Sequence, residues 1–413
     1  MRYDAIIIGG GASGLAAACA LGRRGRRVAL LEKQDRVGRK LLSTGNGRCN
    51  LTHLGAGAGD YHGDRRAVQA ALKRWPPRRV MDFFDGLGIP CVADGEDRVY
   101  PMSRQAASVL DALRLGCDEA GVQTRVGFAV ARLRARDGGF EAVSGAGEAV
   151  WGRCALVCAG GLAAPKLGGC GDGYRLLEDF GHRSTPRFPA IAALKTPGEA
   201  VRGLKGIRAE AELTLLAAGE ALRRERGEAL FAESGVSGIA AMQLARQANE
   251  ALRAGQSCAV RLDFAPGLDA AELLRRRAGS LPLRRTEDFL NGIVPRRLGQ
   301  SLARAAGLDW AAPAGGLGQG RLAALASALG GWTLPVTGTQ GFDQAQVTAG
   351  GVSLKEFDIR RMASLRAPGL FAAGEVLDVD GDCGGFNLQW AWSSALLAAE
   401  GIDEMLAGGG EKR

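Results

Sequence analysis

The first thirty residues carry a pattern of apolar positions that predicts a strand, a helix and a second strand. Residues 3–8 form a short run rich in isoleucine, which suits a strand buried on both faces. Residues 14–24 are rich in alanine and leucine and predict a helix. Residues 27–33 (RVALLEK) predict a second strand that ends at Glu32. This order is typical of a βαβ unit.

A glycine pattern occupies the turn between the first strand and the helix. In G-x-G-x-x-G, the first glycine permits a tight turn, the second lets the backbone approach a pyrophosphate, and the third lets helix and strand pack closely. Glu32 follows this turn at the distance where a carboxylate accepts hydrogen bonds from adenosine ribose hydroxyls, and it would repel the 2′-phosphate of NADP. We therefore predict a dinucleotide site that includes Gly9, Gly11, Ala12, Ser13, Gly14 and Glu32.

Two further apolar runs that end in glycine predict that the dinucleotide is FAD. The run at residues 155–161 (ALVCAGG) ends in a close backbone approach, and GLFAAGE, at 369–375, presents a carboxylate suited to the ribitol chain of FAD. A glycine-rich loop and a small-residue helix from about residue 386 follow, so backbone N–H groups there can stabilise the N1–C2=O edge of a flavin. The residues predicted from these segments are Ala159, Gly160, Gly161, Gly374, Glu375, Gly385, Phe386, Asn387 and Leu388.

The middle of the chain lacks dinucleotide motifs and predicts an insert. Residues 188–265 alternate apolar runs with turns, as in an antiparallel sheet or small barrel, and residues 266–335 predict helices separated by proline and glycine. The expected fold is therefore α/β, with a Rossmann-like FAD domain (1–187 and 336–413) interrupted by a β-barrel-like part and a helical part. Because no second G-x-G-x-x-G follows a strand, any NAD(P)H is expected to dock transiently near the flavin.

Composition indicates which partners and which cellular location are expected, but it says little about the activity. The net charge of +9 and the pI near 9.3 suit a solvated arginine-rich surface, or affinity for nucleic acid, an acidic membrane or an anionic cofactor. Nucleic acid is the less favoured partner, because no nucleic-acid motif accompanies the arginines. Nine cysteines without a C-x-x-C pair, and no apolar run long enough to span a bilayer, favour a soluble, cytoplasmic protein.

Several motifs in fixed order resemble one family. The N-terminal fingerprint, GRKLLSTGNGRCNLT, GEALFAESGVSG, VTAGGVSLKEFD and GLFAAGEVLDVDGDCGGFNLQWAWSS are similar to those of the aminoacetone-oxidase-like (BaiN-like) family of FAD-binding flavoproteins. The resemblance runs essentially end to end and implies FAD as cofactor, with no single shared substrate. It also implies that Arg39 and Lys40 lie near the cofactor. One departure is visible, since Asn46 stands where the family pattern TGGGRCN has its middle glycine.

The segment LSTGNGRCNLTH (42–53) is predicted to pass beside the isoalloxazine. The turn at Gly45-Asn46 tolerates left-handed backbone angles, so its backbone can lie against the ring. Cys49 is expected to be a packed thiol, with a redox role or a zinc site shared with His53 as weaker alternatives. The candidate cofactor-binding residues are completed by Lys33, Ser43 and Val130.

The favoured function is an FAD-dependent oxidoreductase that transfers hydride between the flavin N5 and a small or medium organic substrate or NAD(P)H. Two alternatives remain: a tRNA-modifying flavoprotein, suggested by the basic charge, and a non-catalytic flavin-binding protein. The sequence identifies neither the substrate nor the electron donor.

Overall fold

A computed structural model describes residues 2–408, and its internal contacts divide the chain into two units. The first unit comprises residues 1–188 and 347–413, and the second comprises residues 189–346. The second unit is therefore an insertion within the first. Within residues 2–408, none of the helices combines the length and the apolar character needed to cross a bilayer.

The first part of unit one alternates strands and helices, as the N-terminal pattern predicts. Its strands are β1 (Arg2–Ile8), β2 (Val28–Leu31), β3 (Thr52–His53), β4 (Tyr61–Gly63), β5 (Cys91–Ala93), β6 (Arg98–Pro101), β7 (Gln123–Arg125), β8 (Val130–Arg136), β9 (Gly139–Ser144) and β10 (Ala149–Val157). Its helices are α1 (Ala12–Gly22), α2 (Arg39–Ser43), α3 (Arg65–Arg74), α4 (Pro77–Asp85), α5 (Ala106–Glu119) and α6 (Asp172–Glu178).

Unit two holds both an antiparallel sheet and helices. Its strands are β12 (Leu194–Lys195), β13 (Arg208–Ala217), β14 (Glu220–Ala232), β15 (Gly235–Ser237), β16 (Cys258–Asp263), β17 (Trp332–Val336) and β18 (Gly338–Thr339), and β11 (Phe188–Ala190) precedes them. Its helices are α7 (Ile239–Gln243), α8 (Ala245–Arg253), α9 (Ala270–Ser280), α10 (Arg296–Ala305) and α11 (Gln319–Gly331).

The chain then returns to unit one. This last segment contributes β19 (Val347–Ala349), β20 (Phe357–Asp358), β21 (Ala363–Ser364), β22 (Leu370–Ala372), β23 (Val379–Gly381) and the long helix α12 (Phe386–Gly408).

A sheet of nine strands forms the centre of unit one. Strands β22, β10, β1, β2 and β7 lie side by side in parallel, while β20, β21, β9 and β8 add antiparallel strands. The isoleucines of β1 are buried, and α1 packs against α12 over the sheet. Burial on both faces explains why β1 is an almost continuous apolar run. The ends of β1, β2, β10 and β22 thus meet at one edge of the sheet.

The sheet of unit two has the strand order β17-β16-β13-β14-β15-β12-β18. Within the described residues, its end strands β17 and β18 do not pair with each other, so the sheet is open rather than a closed barrel. The predicted α/β fold with a Rossmann-like sheet is confirmed, while the part of the insert that was expected to be β-barrel-like is an open sheet in the described residues. Strands β17 and β18 follow the helices and join this sheet, and unit two ends at residue 346.

Candidate functional site

The glycine turn between β1 and α1 is shaped by close packing at two positions and by open space at a third. Gly9 has φ +106°, and a Cβ at Gly14 would lie 1.8 Å from the carbonyl oxygen of Gly9. A Cβ at Gly11 would meet no atom within 4 Å. Gly11 is the residue before α1, and the first turn of that helix has no acidic side chain. The turn therefore leaves a helix N-terminus suited to an anion such as a pyrophosphate.

Glu32, at the end of β2, is held against this turn. Its Oε2 accepts a hydrogen bond from the backbone N–H of Gly10 (2.7 Å), and its Oε1 accepts one from that of Gln34 (2.8 Å). The backbone N–H of Phe128 donates to the Glu32 carbonyl. Two residues later, β8 begins at Val130, which is buried. Carboxylate oxygens keep further acceptor sites after such contacts. The carboxylate is thus fixed in place while it retains capacity for a ribose.

Lys40 and Glu375 form a second charged centre. Lys40 Nζ lies 2.8 Å from Glu375 Oε2, and Glu375 is the third residue after the end of β22. The Oε1 atom of Glu375 accepts the backbone N–H of Thr348 at 2.8 Å. A Cβ at Gly161 would lie 2.7 Å from that same Oε1, so the glycine turn after β10 fits against the carboxylate. The structure brings these predicted residues together, whereas the sequence places them in three distant segments.

Thr348 belongs to this centre although the sequence does not predict it. It lies in β19 and is buried, and its Oγ1 accepts hydrogen bonds from the backbone N–H groups of Leu162 (2.8 Å) and Ala163 (3.0 Å). The one sequence feature that could have indicated Thr348 is its position in VTAGG (347–351), close to two glycines. A single threonine carries no chemistry that would mark it from sequence alone.

The beginning of α12 lies close to the end of the segment 42–53. A Cβ at Gly385 would lie 2.7 Å from Asn50 Oδ1, an atom that is buried without a hydrogen-bond partner. The Phe386 ring stacks on His53 with centroids 4.8 Å apart. The Asn387 side chain bonds to its own loop, accepting the N–H of Gly381 and donating to the Gly381 carbonyl, and Leu388 is partly buried. The first N–H groups of a helix have no intrahelical acceptor, so this end too can receive a polar ligand atom.

Gly374 links this helix to the N-terminal turn. Its carbonyl accepts a hydrogen bond from the Trp390 indole (3.1 Å), and its N–H donates to Ser394 Oγ (3.0 Å). A Cβ at Gly374 would lie 2.7 Å from Ser13 Oγ, close to the start of α1. Ala12 begins that helix and is partly buried. The predicted N-terminal and C-terminal site segments are therefore neighbours in unit one.

The loop around Asn46 is exposed and left-handed. Gly45 has φ 55° and Asn46 has φ 54°, so asparagine occupies the backbone conformation that the family glycine would favour. Ser43 is exposed and donates from Oγ to the carbonyl of Lys40. Gly45, Asn46 and Ser43 make no contact with Glu32 or Glu375 among the hydrogen bonds of residues 2–408.

Of three further predicted residues, Arg39 and Lys33 contact other side chains or backbone groups, whereas Gly160 faces open space. Arg39 donates to Gln34 Oε1 (2.7 Å) and to the Lys166 carbonyl (3.1 Å), while its Nε is buried without a partner. Lys33 Nζ lies 3.7 Å from Asp172. Gly160 has φ +73° and open space where a Cβ would stand, and it follows the partly buried Ala159. Arg39 thus braces two loops with its terminal nitrogens.

Cys49 is fully buried next to this region. Burial raises the pKa of its thiol to about 12, so it is protonated at neutral pH and is a poor nucleophile. Burial also raises the pKa of Cys383 in the glycine-rich loop. The described part of the chain contains no group of three or more His, Cys, Asp or Glu side chains placed to hold a metal ion.

Comparison with known proteins identifies the family. Residues 3–401 match the family described as HI0933-like protein Rossmann domain. The chain belongs to this family. The 3-dehydro-bile acid delta(4,6)-reductase of Clostridium scindens is 35% identical over 96% of this chain and 98% of its own length. The ribosomal RNA dihydrouridine synthase of Escherichia coli is 30% identical over 97% of this chain and 98% of its own length. The family resemblance predicted from the motifs is confirmed, as is the prediction of an oxidoreductase.

Solved structures support the fold of this HI0933-like chain. The 3-ketosteroid delta1-dehydrogenase of Sterolibacterium denitrificans, solved with 1,4-androstadiene-3,17-dione, has a TM-score of 0.51 and 15% identity and covers 98% of this chain and all of its own. A 3-ketosteroid-delta4-(5alpha)-dehydrogenase from Rhodococcus jostii has a TM-score of 0.50 and 16% identity. The match covers 97% of this chain and 96% of the dehydrogenase chain. At these identities the likeness extends to the fold alone.

Proposed function

We propose that this HI0933-like chain is an FAD-dependent reductase of a carbon–carbon double bond conjugated to a carbonyl group. When bound, FAD supplies hydride chemistry at N5. The observation that carries the proposal is the cradle of unit one, which contains two carboxylates held by neighbouring groups, Glu32 and Glu375, together with the N-termini of α1 and α12.

The residues of this cradle fit an extended dinucleotide. Glu32 would hold the adenosine ribose and the start of α1, at Gly11, the pyrophosphate. Glu375, oriented by Lys40, would hold the ribitol, and the start of α12, at Gly385, the pyrimidine edge of the flavin. Open space at Gly11 and Gly160 leaves room for close approach of the backbone to the cofactor.

The names of two full-length relatives support the class of reaction. A delta(4,6)-reductase of a 3-dehydro bile acid is named for reducing double bonds that are conjugated with a ketone. A dihydrouridine synthase saturates the C5=C6 double bond of uridine, which is conjugated with C4=O before reduction. In both cases two hydrogens add across a carbon–carbon double bond that is conjugated with a carbonyl group, and in a simple enone the hydride adds to the β carbon and the proton to the α carbon. The shared chemistry is therefore more specific than either substrate. A hydrophobic polycyclic enone is the favoured substrate class, following the more similar of these two relatives.

We infer that the electron donor is NAD(P)H bound transiently. Unit one has one G-x-G-x-x-G turn, which the flavin would occupy, and GGLGQG (315–320) lacks both the spacing and a preceding strand. Cytoplasmic location remains a prediction that rests on nine cysteines without a C-x-x-C pair.

The proposal is tested by purification followed by anaerobic turnover. The protein should copurify with FAD or bind it on addition, and NADH or NADPH should bleach the oxidised flavin band. With a 3-oxo-Δ4 steroid present, mass spectrometry should detect a product two hydrogens heavier. A protein that binds no FAD, or a reduced flavin that reacts with oxygen but with no conjugated enone, would refute it.

A second candidate substrate is uridine in ribosomal RNA. Two observations favour it: the 30% identity to an enzyme named for that reaction, and the arginine content of residues 266–335, which hold nine arginines and five acidic residues. Three arginines of that segment, Arg276, Arg297 and Arg321, are exposed. An unmodified ribosomal RNA transcript would then gain dihydrouridine in the presence of the enzyme and NAD(P)H. Binding that falls steeply with salt, without such a product, would indicate phosphate contacts alone.

A further inference from the structure

We propose that Thr348 is a positioning residue for the flavin site, because it fixes the Glu375 carboxylate and the glycine turn after β10 in one arrangement. The inference rests on the proposed binding of FAD to unit one. Thr348 would touch no reacting atom. It would act through Glu375.

Thr348 makes contacts in two directions. Its backbone N–H donates to Glu375 Oε1 (2.8 Å), and its side-chain Oγ1 accepts the N–H groups of Leu162 (2.8 Å) and Ala163 (3.0 Å). Both acceptor positions of the hydroxyl oxygen are therefore used by the turn. One buried residue thus joins the segment after β10 to the segment after β22.

The packing around Gly161 makes this arrangement strict. A Cβ at Gly161 would stand 2.5 Å from Thr348 Oγ1 and 2.7 Å from Glu375 Oε1. These distances are well below van der Waals contact, so only glycine fits between the threonine and the carboxylate. A shift of Thr348 would therefore move the turn and Glu375 together.

The far side of the carboxylate is fixed by Lys40. Glu375 Oε2 lies 2.8 Å from Lys40 Nζ, so Thr348 and Lys40 hold one oxygen each. Because a carboxylate has about four acceptor sites, both oxygens can still accept hydrogen bonds from hydroxyl groups. The pair sets the plane of the carboxylate rather than saturating it. This is the geometry that preorganised binding of a polyhydroxyl chain requires.

The adenosine end of the cradle is built from other residues. Glu32 bonds to Gly10 and Gln34, and none of the hydrogen bonds of Thr348 reaches those residues. A loss of Thr348 function should therefore weaken the ribitol end and leave the adenosine end intact. A merely structural threonine would affect both ends through general loss of stability.

The test compares binding of FAD and of ADP to the full chain with residue 348 varied. Thr348→Val keeps the shape but removes Oγ1 and leaves the N–H groups of Leu162, which is partly buried, and Ala163, which is buried, without this acceptor. We expect the Kd for FAD to rise about tenfold or more and the Kd for ADP to stay within about twofold. Thr348→Ser retains the hydroxyl and should restore FAD affinity to within about threefold of the wild type. Thr214→Val, at a buried threonine of unit two, is the matched control and should change neither.

Each outcome decides the inference. Wild-type FAD affinity in Thr348→Val overturns it, and so does an equal loss of FAD and ADP binding, which marks a structural residue. Failure of the serine variant to restore binding also overturns it. If the wild-type protein binds ADP but no FAD, the proposed function itself fails, and that result is separate from any effect of the variants.

Discussion

Lys40 Nζ and Glu375 Oε2 lie 2.8 Å apart, although 335 positions separate the two residues in the chain. The contact joins α2 to the segment after β22 and fixes a carboxylate at the edge of the nine-stranded sheet. A charged pair that is only partly exposed is screened less than a surface pair. We regard it as the centre of the ribitol end of the proposed FAD site.

Replacing the carboxylate should weaken FAD binding selectively. Glu375→Gln keeps the size of the side chain but removes the charge that pairs with Lys40. Since hydrogen bonds to charged groups contribute about 1.5–3 kcal/mol, we expect the Kd for FAD, measured by flavin fluorescence, to rise about tenfold or more. Glu404→Gln is the control. Glu404 lies on α12, and its ion pair with Arg361 is exposed, so the pair should contribute little to stability or FAD binding. Unchanged FAD affinity in Glu375→Gln would contradict the assignment.

The glycine turn offers a matched pair of alanine variants. Gly14→Ala would place a Cβ 1.8 Å from the Gly9 carbonyl oxygen, so it should destabilise the fold by about 1–3 kcal/mol or more. Gly11→Ala meets open space and should melt like the wild type, yet bind FAD more weakly because its methyl enters the space where the cofactor approaches. Thermal melting with and without FAD checks both. Equal melting temperatures for the two variants would show that the turn is not packed as described.

The departure of Asn46 from the family pattern should be silent. Its side chain is exposed and its φ is 54°, a conformation that glycine also adopts. Asn46→Gly should leave FAD affinity within about twofold and the flavin spectrum unchanged. Asn46→Val should lower the free energy of unfolding by about 1–2 kcal/mol, because a β-branched residue resists this conformation. A large loss of FAD affinity in Asn46→Gly would instead show that the asparagine side chain binds the cofactor.

Stability should fall on mild acidification because of His182. Its ring is buried, stacks on Phe357 at 4.4 Å and contacts Ser364 Oγ, and burial lowers its pKa. The unfolded chain therefore takes up a proton below about pH 6.5 that the folded chain resists, so stability decreases as the pH falls below that value.

Urea unfolding at pH 7.5 and pH 5.5 measures this effect, and His182→Gln should reduce the difference between the two midpoints. At lower pH, stability should fall further as Glu356 is protonated, because its hydrogen bond with Arg366 lowers the pKa of that carboxyl. An unfolding midpoint that does not change between the two pH values would contradict the role of His182.

The sequence predicted those parts of the site whose requirements are local. Gly9 and Gly14 are glycines because neighbouring backbone leaves no room for a side chain, and Glu32 is fixed by its place at the end of β2. A short segment contains all of this information. The expected left-handed turn at Asn46 follows from local backbone preference in the same way.

The sequence could not predict contacts that depend on packing between distant segments. Nothing near Thr348 indicates that its hydroxyl will accept N–H groups from residues 162 and 163, because that contact exists only once β10 and β19 are in place. Likewise, the sheet of unit two remains open because β17 and β18 end on its two opposite edges. Strand patterns alone do not say which strands lie at the edges.

Anaerobic stopped-flow reoxidation shows whether the reduced flavin passes its hydride to a conjugated enone. The FAD-loaded protein is first reduced with NAD(P)H and then mixed with a 3-oxo-Δ4 steroid or, as control, with the corresponding saturated ketone. We expect the oxidised flavin band to return with the enone, in a one-to-one ratio to the saturated product, and not with the control. Reoxidation by oxygen alone, with the enone and uridine-containing ribosomal RNA both inert, would contradict it.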